Sequence, residues 1–141
     1  MFIGIPWDDS FSLGFKPLDE QHKQIFGVTE EIDEMLRLSA PKDLVVGHFA
    51  RLRQMLSEHF DYERDLAASL EDGQYAYKAH DACHQKLLID IDSVIASLEP
   101  GGSDAQIARC GGEFFECVVR HDGDMVSALV HAGRIKLSDP K

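Results

Sequence analysis

Between Leu44 and Leu70 the apolar side chains Leu44, Val45, Phe49, Leu52, Met55, Leu56, Phe60, Leu66 and Leu70 recur at intervals of three and four residues or their sums. That period describes one face of an α-helix, and a strand cannot satisfy it. The same period returns three more times. Ile25, Val28, Ile32, Met35 and Leu36 carry it after an Asp19 placed to cap a helix start. Tyr75, Ala79, Leu87, Leu88, Ile91, Val94, Ile95 and Leu98 repeat it, and Ile107, Cys110, Phe114, Val118, Met125 and Leu129 do so again. The breaks fall between these runs. Pro41 suits the first turn of the second, Gly73 in "EDG" stops it, and "EPGGSD" ends the third and offers Ser103 or Asp104 as a cap for the fourth. The spacing therefore predicts helices over approximately 18–38, 41–71, 75–98 and 104–132. Gly111, Gly112 and Gly123 weaken the intrinsic helicity of the last. No stretch alternates as a strand and no internal repeat is present. Short connections force neighbouring helices antiparallel, so the expected fold is all-α, an up-down-up-down four-helix bundle. Residues 1–17, with Phe2, Ile3, Ile5, Trp7, Phe11 and Phe15, are expected to form an N-terminal arm packed on it.

Composition narrows the partners. A chain of 141 residues fits one domain, and 44% hydrophobic with 28% charged side chains is too apolar for disorder. The formal net charge of -11 repels phosphate backbones and anionic lipid, so neither nucleic acid nor a membrane is an expected partner. The N-terminal stretch lacks the basic start and apolar run of a secretory signal, and no apolar run approaches the roughly 20 residues of a membrane span. The expectation is a cytoplasmic protein. Cys83, Cys110 and Cys117 form no C-x-x-C pair, and an odd count suits a reducing compartment. Cys110 and Cys117 lie about 10 Å apart along one helix, too far to bond to each other. A structural role is expected for all three cysteines.

Seven histidines, at positions 22, 48, 59, 80, 84, 121 and 131, are spread over all four predicted helices. His59 and Glu63 are four residues apart, as are His80 and His84, so each pair projects from a single helix face. His59 lies level with the stripe of Leu52, Met55, Leu56 and Phe60, and His80 and His84 continue the line of Leu87, Leu88 and Ile91. These polar groups face inward. A buried imidazole or carboxylate without a partner costs on the order of 1–3 kcal/mol, and a metal ion supplies the compensation. Imidazole nitrogen with carboxylate oxygen suits iron, zinc or manganese, and the ligands exceed what one open metal needs. Two metals bridged by a carboxylate are the expectation, with His22, His59, Glu63, His80, His84 and His121 as ligands. His48 and His131 lie about 15 Å along their helices from the nearest inward histidine and are set aside.

In this order and at these gaps, "LDEQHKQIF", "HFDYERDL", "HDACH" and "VVRHDGDM", with Trp7 and Gly14 in the arm, make the chain similar to hemerythrin-like domains, in particular single-domain bacteriohemerythrins. The resemblance spans nearly the whole chain. It implies one hemerythrin-like domain over residues 1–141 and a centre of two non-haem iron ions, oxo- or hydroxo-bridged, with dioxygen as a reversible ligand. By that pattern His80, His84 and His121 hold one iron, His22 and His59 hold the other and leave it an open position, and Glu63 bridges them. The second bridge in such domains is an aspartate five residues after the fourth-helix histidine, which here is Val126. Asp122 lies about 40° from Val126 around a regular helix and Asp124 about 160°, so Asp122 is the better substitute. The implied role is an oxygen carrier, store or sensor. A di-iron redox enzyme of peroxidase, ferroxidase or nitric-oxide-handling type is the alternative, followed by iron storage. No enzyme signature stands out, and the sequence leaves the oligomeric state open, a monomer included.

Overall fold

The computed structural model describes residues 7–71, 73–98 and 116–137, and it is all-helical there, with no strand among the described residues. Three long helices, α1 (Lys16–Arg37), α2 (Lys42–Ala67) and α3 (Tyr77–Leu98), are followed by a π-helical segment, Glu116–His121, that runs directly into α4 (Asp122–His131). Neighbouring helices pack in sequence, α1 on α2, α2 on α3 and α3 on the π segment, which is the up-down-up-down bundle expected from the short connections. The predicted cap at Ser103 or Asp104 and the apolar positions Ile107, Cys110 and Phe114 lie outside the described residues, as do Phe2, Ile3 and Ile5 of the arm.

The helix ends follow from local chemistry. Helix α1 begins at Lys16 rather than after Asp19, with Pro17 in its first turn. Asp19 instead accepts hydrogen bonds from Ser12 Oγ (2.7 Å), the Leu13 amide (2.8 Å) and the Gly14 amide (3.2 Å), so it fastens the arm onto the helix. At the other end Ser39 takes a positive φ of 54°, and the amides of Ser39 and Ala40 donate to the carbonyls of Leu36 and Met35. This is a Schellman turn, the same device that Gly133 supplies after α4 with the Arg134 amide on the Leu129 carbonyl. Pro41 stands immediately before α2, where its missing N–H costs nothing.

The apolar side chains form two separate clusters. The larger gathers Phe26, Phe49, Leu52, Leu56, Phe60 and Ile91 with their neighbours from α1, α2, α3 and the π segment. Trp7 and Phe11 of the arm close it, their rings meeting Phe26 at centroid distances of 5.7 and 5.5 Å. The smaller holds Leu18, Ala67, Met125, Val126 and Leu129. Along three of the four stretches the chain passes from one cluster to the other across a short polar interval: Leu18 to Ile25 on α1, Phe60 to Ala67 on α2, and Val118 to Met125 from the π segment into α4. A polar layer therefore lies between two dry ones.

Cys83 on α3 and Cys117 in the π segment are joined by a disulfide, with their Cα atoms 5.9 Å apart. The link crosses from one helical element to another, a pairing that spacing within one helix does not reveal. A disulfide also counts against a reducing compartment, which the odd cysteine count had favoured. No helix among the described residues is long and apolar enough to cross a membrane.

Candidate metal centre

The polar layer is built from one or two side chains per helix. His22 comes from α1, His59 and Glu63 from α2, His80 and His84 from α3, and Asp122 from the first position of α4; all six are 2% exposed or less. The four-residue spacings of the α2 and α3 pairs deliver both members to the same face, as the helical period requires. The ligand atoms fall into two groups that share both carboxylates: His22, His59, Glu63 and Asp122 in one, Glu63, His80, His84 and Asp122 in the other, with all atoms of each group within 4.8 Å of one another. His22 Nε2 is 2.7 Å from Asp122 Oδ2, His59 Nε2 is 3.1 Å from the same oxygen, and His80 Nε2 is 2.9 Å from Asp122 Oδ1. Glu63 Oε1 lies 3.3 Å from His59 Nε2 and 3.2 Å from His84 Nε2.

The opposite ring edges are engaged by polar groups that fix each imidazole. His59 Nδ1 lies 2.6 Å from Gln21 Oε1, His80 Nδ1 is 3.0 Å from the Tyr75 hydroxyl, and His84 Nδ1 is 3.4 Å from the Tyr77 hydroxyl. An amide oxygen only accepts, so His59 Nδ1 carries the proton and its Nε2 turns a lone pair inward. Burial lowers the His59 pKa, keeping the ring neutral, and that lone pair faces carboxylate oxygens of both Asp122 and Glu63. Three electron-rich atoms facing each other in a dry layer repel unless a cation sits among them. Both Glu63 oxygens and His84 Nε2 are buried with no hydrogen-bond partner, each such orphan costing about 1–3 kcal/mol. The donor set, imidazole nitrogen with shared carboxylate oxygen, fits a pair of borderline cations such as iron, zinc or manganese.

Electrostatics in the metal-free layer point the same way. Burial first, and then the charge of Asp122, pushes the Glu63 carboxyl well above the usual range. For Asp122 burial acts upward too, but the neighbouring Glu63 carboxyl and the His22 imidazole outweigh it and hold the carboxyl well below. Two carboxylates side by side cannot both ionise cheaply, so one proton stays on Glu63 until a cation displaces it. Tyr75 and Tyr77 flank the α3 pair with hydroxyls pushed well above the usual phenol range, by burial first, so both remain protonated. The Tyr75 hydroxyl also reaches the His121 carbonyl at 3.3 Å, and Phe60 stacks on His84 at 3.7 Å between centroids.

The structure thus brings together His22, His59, Glu63, His80 and His84 of the residues expected from the sequence, and it leaves His121 outside both groups. The His121 ring stacks against His80 at 5.3 Å and is only partly buried. The physical reason is the π segment. Its wider turn, closed by i→i+5 hydrogen bonds, breaks the 100° phase on which the His121 assignment depends and presents Asp122 to the centre in its place. Asp124 is exposed and Val126 belongs to the smaller apolar cluster. The five-residue step from a fourth-helix ligand to an aspartate, which the resemblance implies, is met by Cys117 and Asp122 rather than by His121 and Val126. In that register a disulfide-bonded cysteine stands where a histidine is expected.

No family profile matches the chain. No solved structure matches it either. Among curated proteins it is similar to the myohemerythrin of Sipunculus nudus, with 27% identity over 100 residues covering 70% of this chain and 74% of that protein. The chain is therefore a helical bundle with a buried histidine, glutamate and aspartate cluster able to hold metal, distantly similar to myohemerythrin.

Proposed function

We propose that this protein is a hemerythrin-like domain whose centre holds two non-haem iron ions and binds dioxygen reversibly, as a carrier, store or sensor. The observation that carries the proposal is the pair of four-residue ligand groups sharing Glu63 and Asp122. In this reading His22 and His59 would hold one ion and His80 and His84 the other, with Glu63 and Asp122 available to both. Iron held this way supplies electrons and vacant coordination positions for a diatomic ligand. The chain's own contribution is to orient the imidazoles through Gln21, Tyr75 and Tyr77 and to exclude water with the two apolar clusters. Exclusion of water protects a reversible ligand from irreversible oxidation chemistry.

One observation favours a second reading. With His121 in neither ligand group, each ion would be held by two imidazoles and the two shared carboxylates, a set that would leave neither end closed. Open positions at both ions suit a redox enzyme of peroxidase or ferroxidase type. The experiment is an ultraviolet and visible spectrum of the reduced, iron-loaded protein before and after air, with iron quantified per chain. A new absorption that reverses under vacuum, at two irons per chain, supports oxygen binding. Direct conversion to a stable oxidised spectrum, with peroxide consumed on addition, supports the enzyme and overturns the carrier.

A further inference from the structure

The six ligands are sealed on most sides. The two apolar clusters lie above and below them, and at the α3 side Tyr75, Tyr77 and the ring of Phe60 stacked on His84 form a wall, with the Cys83–Cys117 disulfide adjoining His84 in sequence. On the α1–α2 side the packing is open. A cleft of about 180 Å³ is lined by Gln21, Gln24, Ile25, Met55, Glu58 and His59, and His59 is the one residue that belongs both to this cleft and to the centre. The other described cavity, about 240 Å³ beside Leu13, Val126 and His131, touches no ligand of the centre.

The chemistry of the cleft is that of a cation path. Its polar groups are the Glu58 carboxylate and the side-chain amides of Gln21 and Gln24, whose oxygens can replace water around a hard or borderline ion. Its volume exceeds that of a single water many times over, so an ion can enter with part of its hydration shell. Gln21 joins the two spaces, because its Oε1 holds His59 Nδ1 at 2.6 Å from the cleft side while His59 Nε2 faces the carboxylates. We infer that divalent cations reach the centre through this α1–α2 cleft, drawn by Glu58 and handed past Gln21 to His59. The inference rests on the metal centre proposed above and adds its route of loading.

The test follows cobalt(II) uptake by the metal-free protein in a stopped-flow spectrometer, with cobalt bound per chain measured at the end. Glu58→Gln removes the cleft's charge. Asp43→Asn removes an equal charge from an exposed position at the start of α2, about 22 Å along the helix from Glu58. Met55→Trp fills the cleft. Glu58→Gln should slow uptake about 3- to 10-fold at low ionic strength, with the difference disappearing at high salt, while Asp43→Asn leaves the rate unchanged. Met55→Trp should slow uptake by about tenfold or more at every salt concentration, and all three variants should still end at the wild-type content of two ions. Unchanged rates in both Glu58→Gln and Met55→Trp at full loading would overturn the route and leave the centre standing. Glu58→Gln is a surface change, so that arm decides even if Met55→Trp folds poorly. No cobalt in the wild-type protein would instead overturn the centre, and the route with it.

Discussion

Reduction of the Cys83–Cys117 disulfide in the metal-free protein should lower its stability by about 4 kcal/mol. The link closes a stretch of 34 residues. In the chain-entropy treatment a loop of that length removes about 13 cal/mol/K from the unfolded ensemble, or about 4 kcal/mol at 25 °C. Little should change in the native state, because Cys117 is fully buried among apolar neighbours that persist when the bond opens. For 141 residues, an unfolding entropy of about 0.3 kcal/mol/K turns this into a fall in Tm of about 13 °C. The assay is urea unfolding followed by circular dichroism, with and without a dithiol reductant, and thiol alkylation with mass spectrometry. Of three cysteines, one should alkylate in the unfolded, unreduced chain and all three after reduction. A difference under about 1 kcal/mol between the two states, or three reactive thiols before reduction, would refute the reasoning.

Four further outcomes are expected. Asp122→Asn removes a carboxylate shared by both ligand groups and should lower metal affinity by about 100-fold or more, read by competition with a chromophoric chelator. His121→Ala should keep two ions per chain, whereas His84→Ala should lose binding at the α3 end; equal losses would return His121 to the centre. Tyr75→Phe removes the partner of His80 Nδ1 and should weaken metal binding about 10-fold while leaving two sites, measured by calorimetric titration. In the metal-free protein His84 is held down to about 3, by burial first. It is therefore neutral when folded, while the unfolded chain takes up a proton near 6.5. Its contribution is present above pH 6.5 and is lost as pH falls toward 3, a loss of about 2 kcal/mol by pH 5. Glu63 is shifted the opposite way and blunts the slope. Urea midpoints that do not fall between pH 7 and pH 5 would contradict the assignment.

Much of this arrangement was legible in the sequence because regular helices obey a fixed period. His22, His59, Glu63, His80 and His84 all sit on helices with 3.6 residues per turn, so their inward phase could be read from the apolar residues around them. Asp19 was legible as a helix-start residue but not as the clasp on the arm, since its partners at positions 12 to 14 depend on how the arm folds back. The fourth helix defeated the same reading. A π segment leaves no reliable signature in spacing, and every angle measured across Glu116–His121 with a 100° step is wrong. Asp122 still ranks above Asp124 because both, and the Val126 they are measured against, follow the π segment and keep regular phases within α4. The disulfide could not be read at all, because it depends on two helices meeting side by side.

The π segment makes the number of residues in one turn as consequential as the identity of any ligand. Were ordinary helix to propagate through Glu116–His121 with every residue kept, Asp122 would swing about 100° around the axis relative to Cys117, whereas deleting one residue would remove the extra residue of the π turn and leave Asp122 near its present direction. In the first case the shared carboxylate would leave the layer, although the length of the chain had not changed. The turn should therefore accept a one-residue deletion better than a one-residue insertion, an asymmetry that ordinary loops do not show.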